Sequence, residues 1–254
     1  MKYTIFLMLF ILSPPLAGND ENRLVPKDTE EKRRTMLAGT HVIRRIFHEL
    51  NFNPLVSVNA LVSNPESKIL VILGDLTPME ELESFFPGGL EGFLRKGGAA
   101  LIASDRLIAS RKSRDQLISV SGVTINQEPL VANRPEDCYR EIRYCPMVRP
   151  VSGAMPNLFI NPKNKVHPLS VYSNNPSMLR PRKVFPEQVR PLATLPAGSL
   201  LETPAGLVFP ENDFPLFGVG GAFSEGRLLV FADHSIFINQ MMIPDDTENV
   251  EFCY

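Results

Sequence analysis

The chain has 254 residues, 44% of them hydrophobic and 21% charged, with a formal net charge of -2. That is enough chain for one large or two small domains, and the balance excludes a disordered polymer and gives no global pull toward nucleic acid. Proline is the outlier: 23 residues, fifteen of them between Pro129 and Pro215, which sets a long irregular region inside an otherwise regular chain.

At the N-terminus, Lys2 precedes an apolar run from Tyr3 to Leu12 broken only by Thr4. Ser13-Pro14-Pro15 ends it, and Leu16-Ala17-Gly18 offers small residues for cleavage. The pattern predicts a secretory signal peptide over 1–18 and a flexible polar leader over 19–31. The run is too short for an ordinary transmembrane helix, and no later run is longer. Membrane association is thus expected only through the N-terminus or a segment beyond this chain's end. Export permits disulfides. Cys138 and Cys145 could pair or remain free thiols, which leaves Cys253 over. No CxxC or HxxxH spacing exists, and His41, His48, His167 and His234 are scattered, so zinc is not indicated.

A helix is predicted over Lys32–Leu50, where Met36, Thr40, Ile43, Phe47 and Leu50 recur at helical spacing beside Ile46. Leu55 to Leu61 alternates like a half-exposed strand. Ile69–Leu73 reads as a buried strand ending in Gly74-Asp75. Thr77 is the expected N-cap of the next helix, with Pro78 at its first position. Met79, Leu82, Phe85 and Phe86 supply its apolar face, and Leu90, Phe93 and Leu94 that of a second piece. Gly88-Gly89 breaks the two and Lys96-Gly97-Gly98 closes them. Ala99–Ala103 is the next buried strand, ending in Ser104-Asp105, and the unit implies parallel pairing with a right-handed crossover.

Arg106 to Gln116 reads as a basic helix, and Leu117 to Ile125 as a return toward the sheet. From Glu128 to about Pro215 periodicity is lost. Between Arg106 and Arg190 there are 14 Lys/Arg and 6 Asp/Glu, a local charge of +8. This is either a solvated loop surface or an electropositive cover over a ligand or partner surface. Few aromatics interleave with it, so nucleic-acid binding is not expected. Phe214–Phe223 and Leu228–Ala232 form a hairpin-like pair across Ser224-Glu225-Gly226.

The candidate site lies where strands end. In open α/β sheets, ligands bind beyond the carboxyl ends of parallel strands. Asp75, Asp105 and Asp233 each follow a buried strand. Their carboxylates would face one crevice and could hold Mg²⁺ or Ca²⁺, or each could cap a local turn. His234, Ser235 and Asn239 complete the polar set. Asp233-His234-Ser235 has the residue types of a hydrolase triad, but adjacent residues cannot converge as a relay. Ser235 suits a helix cap and Asn239 a loop brace. Gly218, Gly220 and Gly221 lack the Lys-Ser/Thr of a phosphate loop.

Leu73-Gly74-Asp75-Leu76-Thr77, followed by Leu90 to Leu94 and Lys96-Gly97-Gly98-Ala99, resembles class I glutamine amidotransferase-like domains, as does the His167-Pro168-Leu169 turn. Gly226 through Asn239, with Asp245-Asp246 and Asn249, resembles the closing block of one non-catalytic branch. That branch is a family of uncharacterised bacterial envelope proteins, related to auxiliary domains of gliding-motility transporters and of intraflagellar-transport proteins. The resemblance covers about Met36 to Glu251. It implies an α/β, flavodoxin-like three-layer sandwich with a mainly parallel sheet, here carrying a long Pro-rich irregular insertion over about 128–215 of a single domain spanning 32–252. Amidotransferases carry a nucleophilic Cys on a strand-to-helix turn, and no Cys follows either buried strand here. The family pattern also continues past Tyr254.

Together these readings predict an exported, periplasmic or envelope-associated, non-enzymatic domain. It would bind a partner protein or a small polar ligand, such as a glycan, at the carboxyl ends of the strands through Asp75, Asp105, Asp233, His234, Ser235 and Asn239. No cofactor is called for. A metal-dependent hydrolase built on the clustered aspartates and a structural module of a membrane-associated assembly are the alternatives.

Overall fold

The computed structural model describes residues 36–55, 59–105, 110–152, 159–160, 168–186, 188–211 and 214–254. The expected signal peptide and leader, the first residues of the Lys32–Leu50 helix, Arg106 and His167 lie outside the described residues. Among the described residues, no helix is long and apolar enough to cross a membrane.

Among the described residues, the first helix of more than one turn is α1 (His41–Glu49), which buries Ile43 and Ile46. It is shorter than the expected Lys32–Leu50 span. A turn closed by Gly39 N–H on the Met36 carbonyl (3.2 Å) separates it from what precedes, and this resets the helical phase. Met36 and Leu50 are therefore exposed, although the spacing placed them on the core face. Of the expected strand over Leu55–Leu61, residues 56–58 lie outside the described residues, and Asn59–Val62 forms a single helical turn, α2, that buries Leu61.

Strands β1 (Ile69–Leu73) and β2 (Ala99–Ala103) pair in parallel, Ile69 opposite Ala99 through Leu73 opposite Ala103. Between them run α3 (Pro78–Glu81) and α4 (Gly89–Arg95). The cap of α3 is not the Thr77 hydroxyl. Asp75 Oδ1 accepts from the Thr77 N–H at 2.8 Å and the Thr77 hydroxyl at 2.7 Å, an Asp turn that bends the chain off β1. The Gly97-Gly98 pair is a packing demand. Gly97 has φ +87°, and any side chain at Gly98 would run into the Phe93 ring, which is edge-on to Phe86 at 5.3 Å.

Helix α5 (Arg111–Ser121) is five residues longer than expected at its C-terminal end. Ser110 caps it by accepting from Ser113 N–H, Leu117 and Val120 bury its inner face, and left-handed Gly122 (φ 74°) ends it. The chain then enters β3 (Val123–Ile125). This does not rejoin the main sheet but pairs antiparallel with β6 (Leu179–Pro181).

The Pro-rich region is not an irregular insertion. It contributes β5 (Arg149–Pro150) and β7 (Arg190–Thr194) to the main sheet. It also builds a three-stranded sheet from β4 (Leu130–Val131), β8 (Leu200–Thr203) and β9 (Gly206–Val208). These strands are too short to carry a period and take their register from partners. The expected hairpin is present as β10 (Leu216–Phe223) and β11 (Gly226–Phe231).

The main sheet has the order β1-β2-β11-β10-β7-β5. β1, β2 and β11 are parallel; β10, β7 and β5 alternate antiparallel. The protein is a mixed α/β domain, and its sheet is mixed where a mainly parallel one was expected. The reason is that β11 returns directly from β10 through a tight turn, which only an antiparallel pair allows. On one face Leu70, Ile72, Ala100, Ile102, Leu228 and Val230 are fully buried. Each of the Leu, Ile and Val side chains among them contributes about 1.5–3 kcal/mol of transfer free energy. On the other face, at the carboxyl ends, the Phe231 ring packs against Phe237 and Phe252 at 6.0 and 5.8 Å. The terminal helices α6 (Asn239–Met242) and α7 (Asn249–Phe252) close this end.

Candidate functional site at the carboxyl ends of the parallel strands

The ends of β1, β2 and β11 are stitched together by the first residues beyond them. Gly74 N–H donates to the Ala103 carbonyl (2.8 Å), and Ser104 N–H to that of Phe231 (3.1 Å). The Ser104 hydroxyl donates to the Gly74 carbonyl at 2.5 Å. Asp105 and Asp233 thus leave the sheet side by side. His234 follows, its ring lying over Gly74, whose φ of +83° and missing side chain leave room for it.

Asp105, Asp233 and His234 form a group whose ligand-type atoms all lie within 4.8 Å of one another. His234 Nδ1 is 3.1 Å from Asp105 Oδ1 and 3.9 Å from Asp233 Oδ1. The imidazole side chain is 32% exposed and that of Asp105 12%, so this pair is the part of the group that reaches solvent. Asp75 is not in the group; its carboxylate serves the turn into α3. The three strand-end carboxylates therefore do not converge, and two of them meet a histidine instead.

Asp233 forms the floor and is completely buried. Its Oδ2 accepts from the Ser173 hydroxyl, the Ser235 hydroxyl and the Asn174 N–H, and its Oδ1 from the Ser235 N–H at 2.7 Å. Ser235 Oγ in turn accepts from the Asn174 N–H at 2.8 Å. Burial pushes the Asp233 carboxyl above its usual range, while a charge on His234 and the surrounding donors pull it back. Ser235 is thus part of the clamp on residues 173–174. Asn239 is a brace too: its amide donates to the Met36 carbonyl (2.7 Å), and its carbonyl accepts from the Val42 N–H (3.0 Å) at the start of α1.

The rest of the closing block acts in the same way. Asn249, fully buried, makes a two-way bond with the Tyr172 backbone at 2.9 and 2.8 Å. Glu248 accepts from the Ser170 N–H at 2.7 Å, and Asp246 from the Tyr139 hydroxyl and Arg140. Ser173 and Asn174 escaped the sequence reading. Their only local signal is the turn-forming run Ser173-Asn174-Asn175-Pro176, with Asn175 at φ 58°.

Neither Cys138 nor Cys145 sits on a strand-to-helix turn. In the short ladder formed by the Cys138–Pro146 bridge, Cys138 lies opposite Pro146, so Cys138 and Cys145 start on opposite faces. Both are free and buried, Cys138 Sγ on the Arg134 carbonyl and Cys145 Sγ beside Asn174. Burial first, then the charges of Asp233 and Cys138, push the Cys145 thiol up to about 11. A thiol so poised stays protonated at neutral pH.

The fold is shared with the mmIFT52 N-terminal domain, at a TM-score of 0.56 and 14% identity over 98% of this chain and 92% of that one. An exo-beta-1,4-mannosidase from Opitutaceae bacterium strain TAV5 aligns at a TM-score of 0.44 and 14% identity, over 98% of this chain and 34% of the enzyme. A cytoplasmic protein from Salmonella typhimurium LT2 aligns at 0.42 and 14%, over 85% and 80% of the two chains. No protein-family model matches the chain, and no curated protein matches it.

Proposed function

We propose that the chain is a non-enzymatic domain of an exported, envelope-associated protein that binds a partner protein or a small polar ligand at the carboxyl-end face of its sheet. One observation carries this reading. The acid at the centre of the crevice, Asp233, has its carboxylate committed to Ser173, Asn174 and Ser235, so it fixes the shape of the surface. Of the three residues of the group, only His234 and Asp105 are partly exposed, and the hydroxyls next to it, those of Ser173 and Ser235, are bonded to the Asp233 carboxylate. Flavodoxin-like, glutamine amidotransferase-like ancestry belongs to the same proposal. The parallel order β1-β2-β11 and the sequence pattern at Gly97-Gly98 support it.

The test is a turnover screen with chromogenic glycosides, esters and amides, on wild type and on folded His234→Ala and Asp105→Asn. The expected result is no turnover above background in any of them. Turnover in wild type that disappears in either variant would overturn the reading.

A metal-dependent hydrolase remains the second reading, favoured by the approach of Asp105, Asp233 and His234 within 4.8 Å. Divalent cations prefer carboxylate oxygens not already taken by internal donors, which Asp233 does not offer. Calorimetric titration with Mn²⁺, Zn²⁺ and Ca²⁺ decides it. Stoichiometric binding lost in Asp105→Asn would favour the enzyme.

A further inference from the structure

The same end of the sheet carries a second feature, over its antiparallel half. Phe231, the last residue of β11, pairs with Gly218 of β10, Gly218 pairs with Ala193 of β7, and Ala193 with Pro150 of β5. Leu216, Thr194 and Arg149 therefore lie level with the strand-end group but in the antiparallel half of the sheet. There a groove of about 720 Å³ opens, lined by Arg134, Arg149, Pro150, Pro181, Phe185, Pro191 and Phe214 among others. Its volume lies in the range of about 300–1,000 Å³ usual for binding clefts.

Three properties make it a recognition surface. The proline walls have fixed φ, so the groove is preformed and little ordering cost falls on binding. Its lining exposes aromatic surface: Phe214 is 64% exposed. Exposed aromatics beside arginines are the composition of protein-binding hot spots. The third property is charge. Arg149 Nη2 donates to Asp137 Oδ1 at 3.0 Å, which fixes the plane of the guanidinium while spending one of its five donors. Arg134 also lines the groove, so its charged lining, Arg134 and Arg149 against Asp137, leaves one positive charge in excess. Pro150 has no N–H to offer an added strand, so recognition falls to side chains.

We propose that this groove docks an extended, acidic segment of a partner protein, its carboxylates on Arg134 and Arg149 and its proline or aliphatic side chains between Phe185 and Phe214. The inference rests on the binding reading above and names the partner chemistry.

The probes are three fluorescein-labelled decapeptide pools rich in Pro and Leu, their remaining positions filled with Asp/Glu, Ser/Gln or Lys/Arg. Fluorescence anisotropy should rise with the acidic pool only and weaken as salt is added. Arg134→Glu and Phe214→Ser leave the Arg149–Asp137 pair in place, and each should lower affinity about tenfold. Equal binding of all pools, no binding of the acidic pool, or unchanged affinity in both variants would overturn the proposal. Dimerisation lost in the same variants, with no peptide bound, would assign the groove to a second copy and also overturn it. Acidic-pool binding that survives both variants but disappears in His234→Ala would move the site to the crevice, which leaves the binding reading standing. Turnover dependent on His234 would remove that reading without touching the groove result.

Discussion

The parallel and antiparallel halves of the main sheet are held by different means. β1 and β2 are joined by the helices between them, and the packing of Phe86 on Phe93 involves residues a few positions apart. β7, β5 and the segments around them depend instead on polar side chains near the end of the chain. Asp233 reaches back 60 residues to Ser173, Asn249 77 to Tyr172, Glu248 78 to Ser170 and Asp246 106 to Arg140. A short connection supplies its own packing partner. A long Pro-rich connection cannot form helices to cover itself, so its backbone must find donors and acceptors elsewhere. The polar closing block supplies them, which is why a cluster resembling an active site can be a clamp.

Asp233→Ala tests that difference most severely. It strands the Ser173 and Ser235 hydroxyls and the Ser235 amide in a buried place, and should cost about 3 kcal/mol of stability. The loss should be uneven. Amide exchange should accelerate at Ser173, Asn174 and Ser177, whose N–H donates to Ala232 at 3.1 Å, well before it does in β1 and β2. Uniform acceleration across both halves would mean that the sheet is one cooperative unit and the clamp has no local domain of action.

The same division decided what could be read in advance. Ile69–Leu73 and Ala99–Ala103 are continuous apolar runs because strands buried on both faces select nothing else, so position and pairing were both legible. β11 and its hairpin were legible for the same reason. β4 and β5, at two residues each, carry no period at all. The alternation over Leu55–Leu61 did not reveal that Asn59–Val62 is a single helical turn, which places Leu61 in the core. At the site, the residue types were legible and their direction was not. Nothing near Asp233 reveals that its carboxylate turns inward toward Ser173 and Asn174. Nothing near Asp75 separates a ligand from a turn cap until Thr77 is seen donating to it.

Asp75→Ala sharpens the comparison from the parallel side. Losing a cap that accepts from both the N–H and the hydroxyl of Thr77 should cost about 1 kcal/mol. Because the contact is local, destabilisation should be confined to the start of α3, with peptide binding in the groove unchanged. A loss of several kcal/mol, or altered binding, would show that the strand-end turns of the two halves communicate.

The smallest effect is expected at the outermost tie of the clamp. Arg140 and then the Tyr139 hydroxyl, bonded to Asp246 at 2.9 and 2.7 Å, hold its carboxyl below the usual carboxylate range. A carboxyl with a lowered folded-state pKa adds stability above the unfolded value of about 3.9, and that stability is lost as pH falls through the lower folded value. Asp246→Asn removes it at every pH. The denaturation midpoint of wild type should therefore exceed that of the variant at neutral pH, and the gap should close below about pH 4. Because the pair is solvent-exposed, added salt should narrow the gap as well. A gap that is constant in pH would assign the tie to the geometry of the two hydrogen bonds. The charge would then contribute nothing to stability.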